Sequence, residues 1–326
     1  MHRKVQSNHL KEKGTSAVYD LAGGVWPVML TAFTHNKQID WDGVDRLTDW
    51  YIASGVAGLF AVCGSSEMRE LTAEERLALA ERVVKRSNGR VRVIATGTFG
   101  GTIEEQAIFV QRMAETGVVA VVCLVNELAG QDQTDEIWKA NVEELLEKTE
   151  EIPLGLYECP APYHRLLSPQ LLTWIASTRR FFWLKETSEQ LDLIRKKIAA
   201  VQGTRLRFYN ANTVTLLQSL RLGGNGFSGI AANFCPALFV WLCRHFKEHP
   251  QTAERLQRFL SIAGALKGYK YPVSAKQFLA LSGMEIGTTC RVLDHEFSNN
   301  EIGMLLALRQ EIQAWQKELG LSEVSY

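Results

Sequence analysis

The chain has 326 residues, of which 46% are hydrophobic, so it can bury a large core. Lys plus Arg and Asp plus Glu each number 36, and this neutral balance argues against a nucleic-acid partner. No apolar run approaches the roughly 20 residues of a membrane span, so no membrane partner is expected. The polar N-terminus lacks the apolar stretch of a secretory signal, and the six cysteines form no CxxC pair. These features predict a cytoplasmic protein with reduced thiols.

Short apolar runs alternate with amphipathic patterns along most of the chain. Thr72 with Glu75, and Thr102 with Glu105, have the capping-box spacing, and Gly117 is placed to cap the second of these helices. Continuous apolar strands are typical of a parallel sheet covered on both faces. The predicted helices are 72–87, 102–117 and 134–149, and the predicted strands are 25–33, 58–64, 91–97, 119–125, 153–159, 181–186, 206–211 and 226–231.

Eight such strand–helix units, about 20–35 residues apart, predict a (β/α)₈ TIM barrel in the α/β class. A doubly wound sheet is the alternative, but "GTFGGT" (97–102) lacks the spacing of a dinucleotide-binding fingerprint. Only helical patterns follow residue 235. We therefore expect a polar N-terminal arm (1–21), a barrel (22–235) and a C-terminal helical region (236–326).

Lys185 is the strongest candidate for chemistry, because it ends the apolar run "FFWLKE" (181–186) at the edge where barrels carry their active sites. Burial there disfavours a charged amine and lowers its pKa from about 10.4. A fall of about three units costs roughly 4 kcal/mol. The neutral amine can form a Schiff base with a substrate carbonyl. The alternative is a lysine paired with Glu186 or with a helix end.

Tyr157 ends the preceding strand, within reach of Lys185 in a barrel, where a phenol can move protons to and from an imine. Packing is the alternative role for Tyr157. Ser65 and Ser66 follow the second strand in "CGSSE" (63–67). Hydroxyls and free backbone N–H groups in such a turn suit a carboxylate, and a helix N-cap is the alternative.

Two further patterns are interpreted as structural. His245 and His249 have one possible metal-ligand spacing, but no third ligand accompanies them, so no metal is expected. The segment "GGNGF" (223–227) is interpreted as a tight turn rather than as a phosphate site.

Several motifs, in order, resemble those of the dihydrodipicolinate synthase / N-acetylneuraminate lyase family over roughly residues 22–290. The run ending at Thr31-Ala32-Phe33 is similar to the family's first strand, which ends T-P-F. "GSSEMRELTAEER" is similar to the segment G-T-T-G-E…L-T-x-E-E-R. "LYECP" is similar to Y-N-V-P, "WLKETS" to G-I-K-E-x-[ST], and "GGNGFSGIAAN" to the eighth-strand motif.

The resemblance implies a class I aldolase that uses pyruvate or a related 2-oxo acid and assembles as a homotetramer or dimer. It implies that Lys185 forms the imine and that Tyr157 is the catalytic tyrosine. Because the imine is the electron sink, no cofactor is expected. Substrate binding is expected at Gly64, Ser65, Ser66, Thr31 and Ser228.

Three departures from the family pattern narrow the expected activity. Gly64 replaces a threonine, and Asn126-Glu127-Leu128 replaces P-Y-Y, so the tyrosine that a neighbouring subunit supplies to the synthase relay is absent. Pro162 stands where the synthase has a substrate-binding arginine, which removes a bidentate clamp for a dicarboxylate. Arg165 is the residue that could partly compensate.

We therefore expect a Schiff-base lyase for a small 2-oxo acid, outside the lysine pathway. Two alternatives stay open. One is a 2-keto-3-deoxy sugar-acid dehydratase of the same family, and the other is a barrel that binds a 2-oxo acid without turnover.

Overall fold

The computed structural model describes residues 21–266 and 269–322, so the predicted N-terminal arm lies outside the described residues except for Leu21. Eight parallel strands form one sheet: β1 (Gly24–Val25), β2 (Gly58–Phe60), β3 (Arg92–Thr96), β4 (Ala120–Leu124), β5 (Leu154–Tyr157), β6 (Phe181–Glu186), β7 (Arg207–Asn210) and β8 (Gly226–Phe227).

The sheet closes into a nearly complete barrel. Its strand order is β1-β8-β7-β6-β5-β4-β3-β2. The segment after β1 meets β2 through a parallel bridge between Val28 and Phe60, and the Phe60 N–H donates to the Pro27 carbonyl at 3.0 Å. The predicted TIM-barrel architecture is confirmed.

The first and last strands are shorter than predicted. After β1, Pro27 has no N–H to donate to a sheet, and pairing continues only as the single bridge at Val28. After β8, the chain turns into a short 3₁₀ helix at Ile230–Asn233. Both changes shorten the regular ladder at the β1–β8 side of the barrel.

Helices follow the strands on the outside of the barrel. The predicted capping boxes of Thr72 with Glu75 and of Thr102 with Glu105 are confirmed, and Gly117 follows α3 with a φ of +90°. In the described residues the outer helices are α1 (Trp41–Ala53), α2 (Ala73–Ser87), α3 (Ile103–Glu115), α4 (Asp135–Lys148), α5 (Pro169–Ser177), α6 (Leu191–Val201), α7 (Leu216–Arg221) and α8 (Pro236–His245).

Three more described helices follow: α9 (Pro250–Leu266), α10 (Val273–Leu281) and α11 (Asn299–Glu318). Helix α8 packs on β1 and β8. Helix α11 packs against α8 and α10. In the part of the chain that the structure describes, every helix is too short or too polar to cross a membrane.

Aromatic rings fill the barrel below the end of β6. Trp183 meets Phe60 edge-on at 5.1 Å between ring centres and stacks on Tyr209 at 5.5 Å. Side chains alternate along a strand, so Trp183 and Lys185 share the inner face and Glu186 faces the helices. Lys185 therefore stands one layer above a floor of packed rings.

Candidate active site

Lys185 and Tyr157 meet at the carboxyl ends of β6 and β5. They are register partners in the sheet, and the Lys185 Nζ lies 4.3 Å from the centre of the Tyr157 ring. Both are buried, with 3% and 7% of their surface exposed. They line a cavity of about 430 Å³ with residues from the loops after β5, β6, β7 and β8, namely Pro160, His164, Thr187, Ser188, Glu189, Ala211, Asn212, Gly229 and Ile230.

The Tyr157 phenol is held in its neutral form. Burial raises its pKa well above the usual value, and the nearby Cys159 and Cys63 thiols raise it further. Its hydroxyl faces Gly64, where a Cβ atom would lie 3.7 Å from the oxygen. Because the phenol keeps its proton, Tyr157 can donate it to a reacting atom and take it back.

The two serines of the turn after β2 (Gly64–Ser66) have different hydrogen-bond partners. The Ser66 hydroxyl lies 2.6 Å from the Ala61 carbonyl and 2.8 Å from the Met29 carbonyl, and it accepts the Cys63 N–H. The Ser65 hydroxyl accepts a hydrogen bond from the Tyr271 phenol at 2.6 Å. Ser66 thus braces the turn through local contacts, which include the Cys63 thiol at 3.4 Å, whereas Ser65 bonds to Tyr271 from a distant segment.

Thr31 and Ser228 also use their hydroxyls on the backbone. Thr31 Oγ1 donates to the Ser66 carbonyl at 2.9 Å, and Ser228 Oγ donates to the Trp26 carbonyl at 2.8 Å. Both residues are fully buried, and neither they nor the turn Gly64–Ser66 are among the residues that line the cavity, which the turn approaches through the Tyr157 hydroxyl. The structure places them beside the site as supports of its backbone.

A buried ion pair joins the turn after β2 to the C-terminal helices. Glu67 has a left-handed backbone conformation, and its Oε1 lies 2.8 Å from the Lys276 Nζ of α10, with both side chains fully buried. The other carboxylate oxygen accepts the N–H groups of Arg291 and Val292. Sequence reasoning missed Lys276, whose one signal is a lysine within the apolar run of α10.

A second buried ion cluster lies outside the barrel wall, behind the two central residues. The Lys197 Nζ of α6 lies 2.6 and 2.9 Å from the Glu158 carboxylate and 3.1 Å from Glu186. Burial raises the pKa of Glu158, and the Lys197 charge opposes that rise. Since Glu158 follows Tyr157 and Glu186 follows Lys185, the cluster holds the two strand ends side by side.

His164 lines the cavity, and the hydrogen bonds of Thr187 show which of its ring nitrogens carries a proton. Thr187 Oγ1 donates its single proton to the Glu158 carbonyl at 2.5 Å, and it lies 2.8 Å from His164 Nε2. His164 Nε2 must therefore carry a proton and donate it to Thr187. Burial lowers the pKa of His164, and the charge of Lys197 lowers it further, while Glu186 and Glu189 oppose this shift.

The segments that depart from the family pattern have structural roles here. Asn126 Nδ2 lies 2.7–2.9 Å from the carbonyls of Cys159, Ala161 and Tyr163, which share its two N–H protons and fasten the loop after β5. Leu128 is fully buried. Arg165 pairs with Asp135 at 2.8 Å and donates to backbone carbonyls of the loop after β4. Its guanidinium is thereby held on that loop, and Arg165 is not among the cavity-lining residues.

The other candidate groups carry no further chemistry at this site. No three His, Cys, Asp or Glu side chains come together as a metal site within residues 21–266 and 269–322. The six cysteines are unpaired, and burial raises the pKa values of Cys63, Cys123 and Cys235.

Comparison with known proteins places the chain among enzymes of one family. The model of the dihydrodipicolinate synthetase family matches residues 21–301. The 4-hydroxy-tetrahydrodipicolinate synthase of Bacillus velezensis is 26% identical over 268 residues, which cover 82% of this chain and 91% of the relative. YagE of Escherichia coli K12, named a putative 2-dehydro-3-deoxy-D-gluconate aldolase, is 29% identical over 237 residues, 69% of this chain and 74% of YagE.

Solved structures show the same fold. The crystal structure of E. coli YagE in complex with pyruvate matches with a TM-score of 0.81 at 24% identity, covering 89% of this chain and 98% of YagE. A dihydrodipicolinate synthase structure from Thermotoga maritima matches with a TM-score of 0.80 at 21% identity, covering 90% and 99% of the two chains. Since the family model spans most of the sequence, the chain belongs to the dihydrodipicolinate synthetase family of lyases and aldolases.

Proposed function

We propose that this protein is a Schiff-base aldolase for pyruvate or a related 2-oxo acid, with Lys185 as the imine-forming residue. The observation that carries the proposal is the pairing of Lys185 with Tyr157, a buried amine 4.3 Å from a phenol ring, in the wall of an open cavity. A buried amine beside a protonated phenol matches what imine formation needs, a nucleophile and a proton shuttle.

The proposed reaction begins with attack of the Lys185 amine on the C2 carbonyl carbon. Tyr157 supplies a proton to the departing hydroxyl of the carbinolamine, so that water leaves and an iminium forms. In the cleavage direction, the C4 hydroxyl gives its proton to the Tyr157 phenolate left by the dehydration step, and the C3–C4 bond breaks. Its electron pair moves to the iminium nitrogen, leaving an enamine and an aldehyde. Protonation of the enamine carbon and hydrolysis then release pyruvate and the free amine.

The carboxylate of the 2-oxo acid is assigned to the turn after β2. The Ser65 hydroxyl and the backbone N–H groups of Gly64 and Ser65 are the proposed donors, since the Ser66 N–H already donates to the Cys63 carbonyl. Gly64 lies next to the Tyr157 hydroxyl. Thr31, Ser66 and Ser228 are proposed to act through the backbone they brace.

The cavity itself favours a hydroxylated tail over a second carboxylate. Its polar lining comes from His164, Thr187, Ser188, Glu189 and Asn212, and no arginine is among the lining residues in the described part of the chain. Without an arginine clamp, a dicarboxylate loses its bidentate partner. We therefore propose a keto-deoxy sugar acid as substrate, in line with the name of YagE, and an activity outside the lysine pathway.

Borohydride reduction in the presence of pyruvate tests the proposal. We expect a stable adduct in the intact mass spectrum, and we expect peptide mapping to place it on Lys185 and not on the exposed Lys196. Absence of an adduct on Lys185 would rule out the Schiff-base mechanism and favour a barrel that binds without turnover. Product analysis with 2-keto-3-deoxy acids then separates an aldolase, which releases pyruvate, from a dehydratase, which retains the carbon chain.

Replacing Tyr157 with Phe is expected to slow proton transfer without removing the nucleophile. Exchange of the pyruvate methyl protons with D₂O reports enamine formation and needs no knowledge of the acceptor aldehyde. We expect the exchange rate of Tyr157→Phe to fall about 10²- to 10³-fold. The borohydride adduct should still form on Lys185 after longer incubation. An exchange rate within threefold of the wild type would contradict a proton-transfer role for Tyr157.

A further inference from the structure

A chain of side-chain hydrogen bonds runs from the outer helix α1 to Ser65. Tyr51 of α1 bonds to Asn233 Oδ1 at 2.6 Å, Asn233 Nδ2 lies 2.6 Å from the Tyr271 hydroxyl, and Tyr271 lies 2.6 Å from Ser65 Oγ. Tyr51 and Asn233 are fully buried. Tyr271 belongs to the segment before α10, so the C-terminal region reaches the turn that faces Tyr157.

The direction of every bond in this chain follows from one backbone carbonyl. Asn233 Nδ2 lies 2.9 Å from the Val28 carbonyl, which can only accept, so this atom is the amide nitrogen. Its other proton goes to the Tyr271 oxygen, and its carbonyl oxygen accepts the Tyr51 proton. Tyr271, having accepted from Asn233, must donate its own proton to Ser65.

Ser65 therefore receives a hydrogen bond and has its own proton left to donate. Among the residues that the structure describes, the Ser65 proton has no recorded acceptor in the protein. Hydrogen bonds arranged head to tail polarise one another, so the last hydroxyl becomes a stronger donor. A donor of this kind favours an anion, and a hydrogen bond to a charged group is about twice as strong as a neutral one.

We propose that Tyr271 is a positioning residue that orients and polarises the Ser65 hydroxyl toward the carboxylate of the 2-oxo acid, with Asn233 and Tyr51 as its supports. This inference rests on the proposed function for the identity of the anion. Burial raises the pKa values of both Tyr271 and Tyr51, so both phenols keep the protons that they donate.

The test compares pyruvate dependence in the wild type, Tyr271→Phe and Tyr51→Phe. Calorimetric titration with pyruvate reads binding, and borohydride trapping with methyl-proton exchange reads the imine. We expect the half-saturating pyruvate concentration to rise about fivefold to tenfold in Tyr271→Phe and about twofold in Tyr51→Phe. The exchange rate at saturating pyruvate should change by less than about twofold, since Lys185 and Tyr157 are intact.

Tyr269→Phe is the matched control, because it removes a phenol hydroxyl two residues away that bonds to Glu301 instead of Ser65. Its pyruvate dependence should equal that of the wild type. Unchanged half-saturation in Tyr271→Phe overturns the inference, as does a fall in the saturated rate with unchanged half-saturation, which would make Tyr271 part of a proton relay with Tyr157. Should Tyr271→Phe fail to fold, Tyr51→Phe decides by the same readout.

The two proposals fail in different ways. Calorimetric binding of pyruvate without an adduct on Lys185 would end the Schiff-base proposal, while the affinity ratio of Tyr271→Phe to wild type would still decide the inference. An adduct on Lys185 with equal half-saturation in all variants would leave the Schiff-base proposal standing and end the inference. Absence of pyruvate binding to the wild type would overturn both.

Discussion

Lys185→Arg is expected to abolish the exchange of pyruvate methyl protons, with a loss of about 10⁴-fold or more in rate. Arginine keeps a positive charge near the Tyr157 ring, but it stays protonated at every relevant pH and cannot add to a carbonyl. The variant therefore tests whether Lys185 acts as a nucleophile or only as a cation that attracts a carboxylate. Trapping with borohydride should give no adduct in this variant.

Lys185→Met provides the companion measurement. It removes both the nucleophile and the charge, and methionine approximates the length of the lysine stem. We expect the same loss of exchange, with a melting temperature equal to or above that of the wild type, since a buried functional amine trades stability for activity. Exchange within about tenfold of the wild type in Lys185→Arg would show that Lys185 binds charge and forms no imine.

Lys197→Met is expected to destabilise the fold by about 3–5 kcal/mol at pH 7, the range for removing one partner of a buried ion pair. Both carboxylates, of Glu158 and Glu186, are fully buried in the wild type, and the variant leaves them there without their cation. Urea denaturation, followed by circular dichroism, measures the loss. Lys196→Met is the matched control, because Lys196 is the exposed neighbour on α6 and should change stability by no more than about 0.5 kcal/mol.

The pH dependence of Lys197→Met has a definite sign. Burial raises the pKa of Glu158, and without Lys197 only backbone N–H groups, such as that of Leu167, oppose that rise. The folded variant then binds more protons than the unfolded chain, whose glutamates titrate near about 4.3. Its stability relative to the wild type should therefore increase as pH falls from 7 toward 5. A deficit below about 1 kcal/mol at pH 7, or one that does not shrink on acidification, would contradict the role assigned to this cluster.

The order of motifs along the sequence was enough to predict the barrel and to bring Lys185 and Tyr157 together. Parallel strands end at one edge of a barrel, so residues at neighbouring strand ends become neighbours in space. The sequence analysis predicted that Lys185 is buried at the end of the apolar run "FFWLKE", and the alternation of side chains shows which residues of the run lie beside it. Trp183 shares the inner face with Lys185 and forms the layer below it, whereas Glu186 points outward to Lys197.

The assignments of hydroxyl groups were harder to make from sequence. Ser65 and Ser66 are adjacent and chemically equal, yet Ser66 contacts the Ala61 and Met29 carbonyls and Ser65 contacts Tyr271. Which serine keeps a proton for a ligand depends on carbonyls and phenols that arrive from distant segments. No local pattern carries that information.

By itself, the sequence determined the fold class, the helix caps and the paired lysine and tyrosine, because these depend on local periodicity and on chain order. Only the tertiary structure decided the surroundings of the pair. Tyr271 meets Ser65 across 206 positions of the chain, and Lys276 meets Glu67 across 209. Such contacts form only when the C-terminal region packs against the barrel, since a hydrogen bond depends on where two atoms finally lie and not on the residues beside them in sequence.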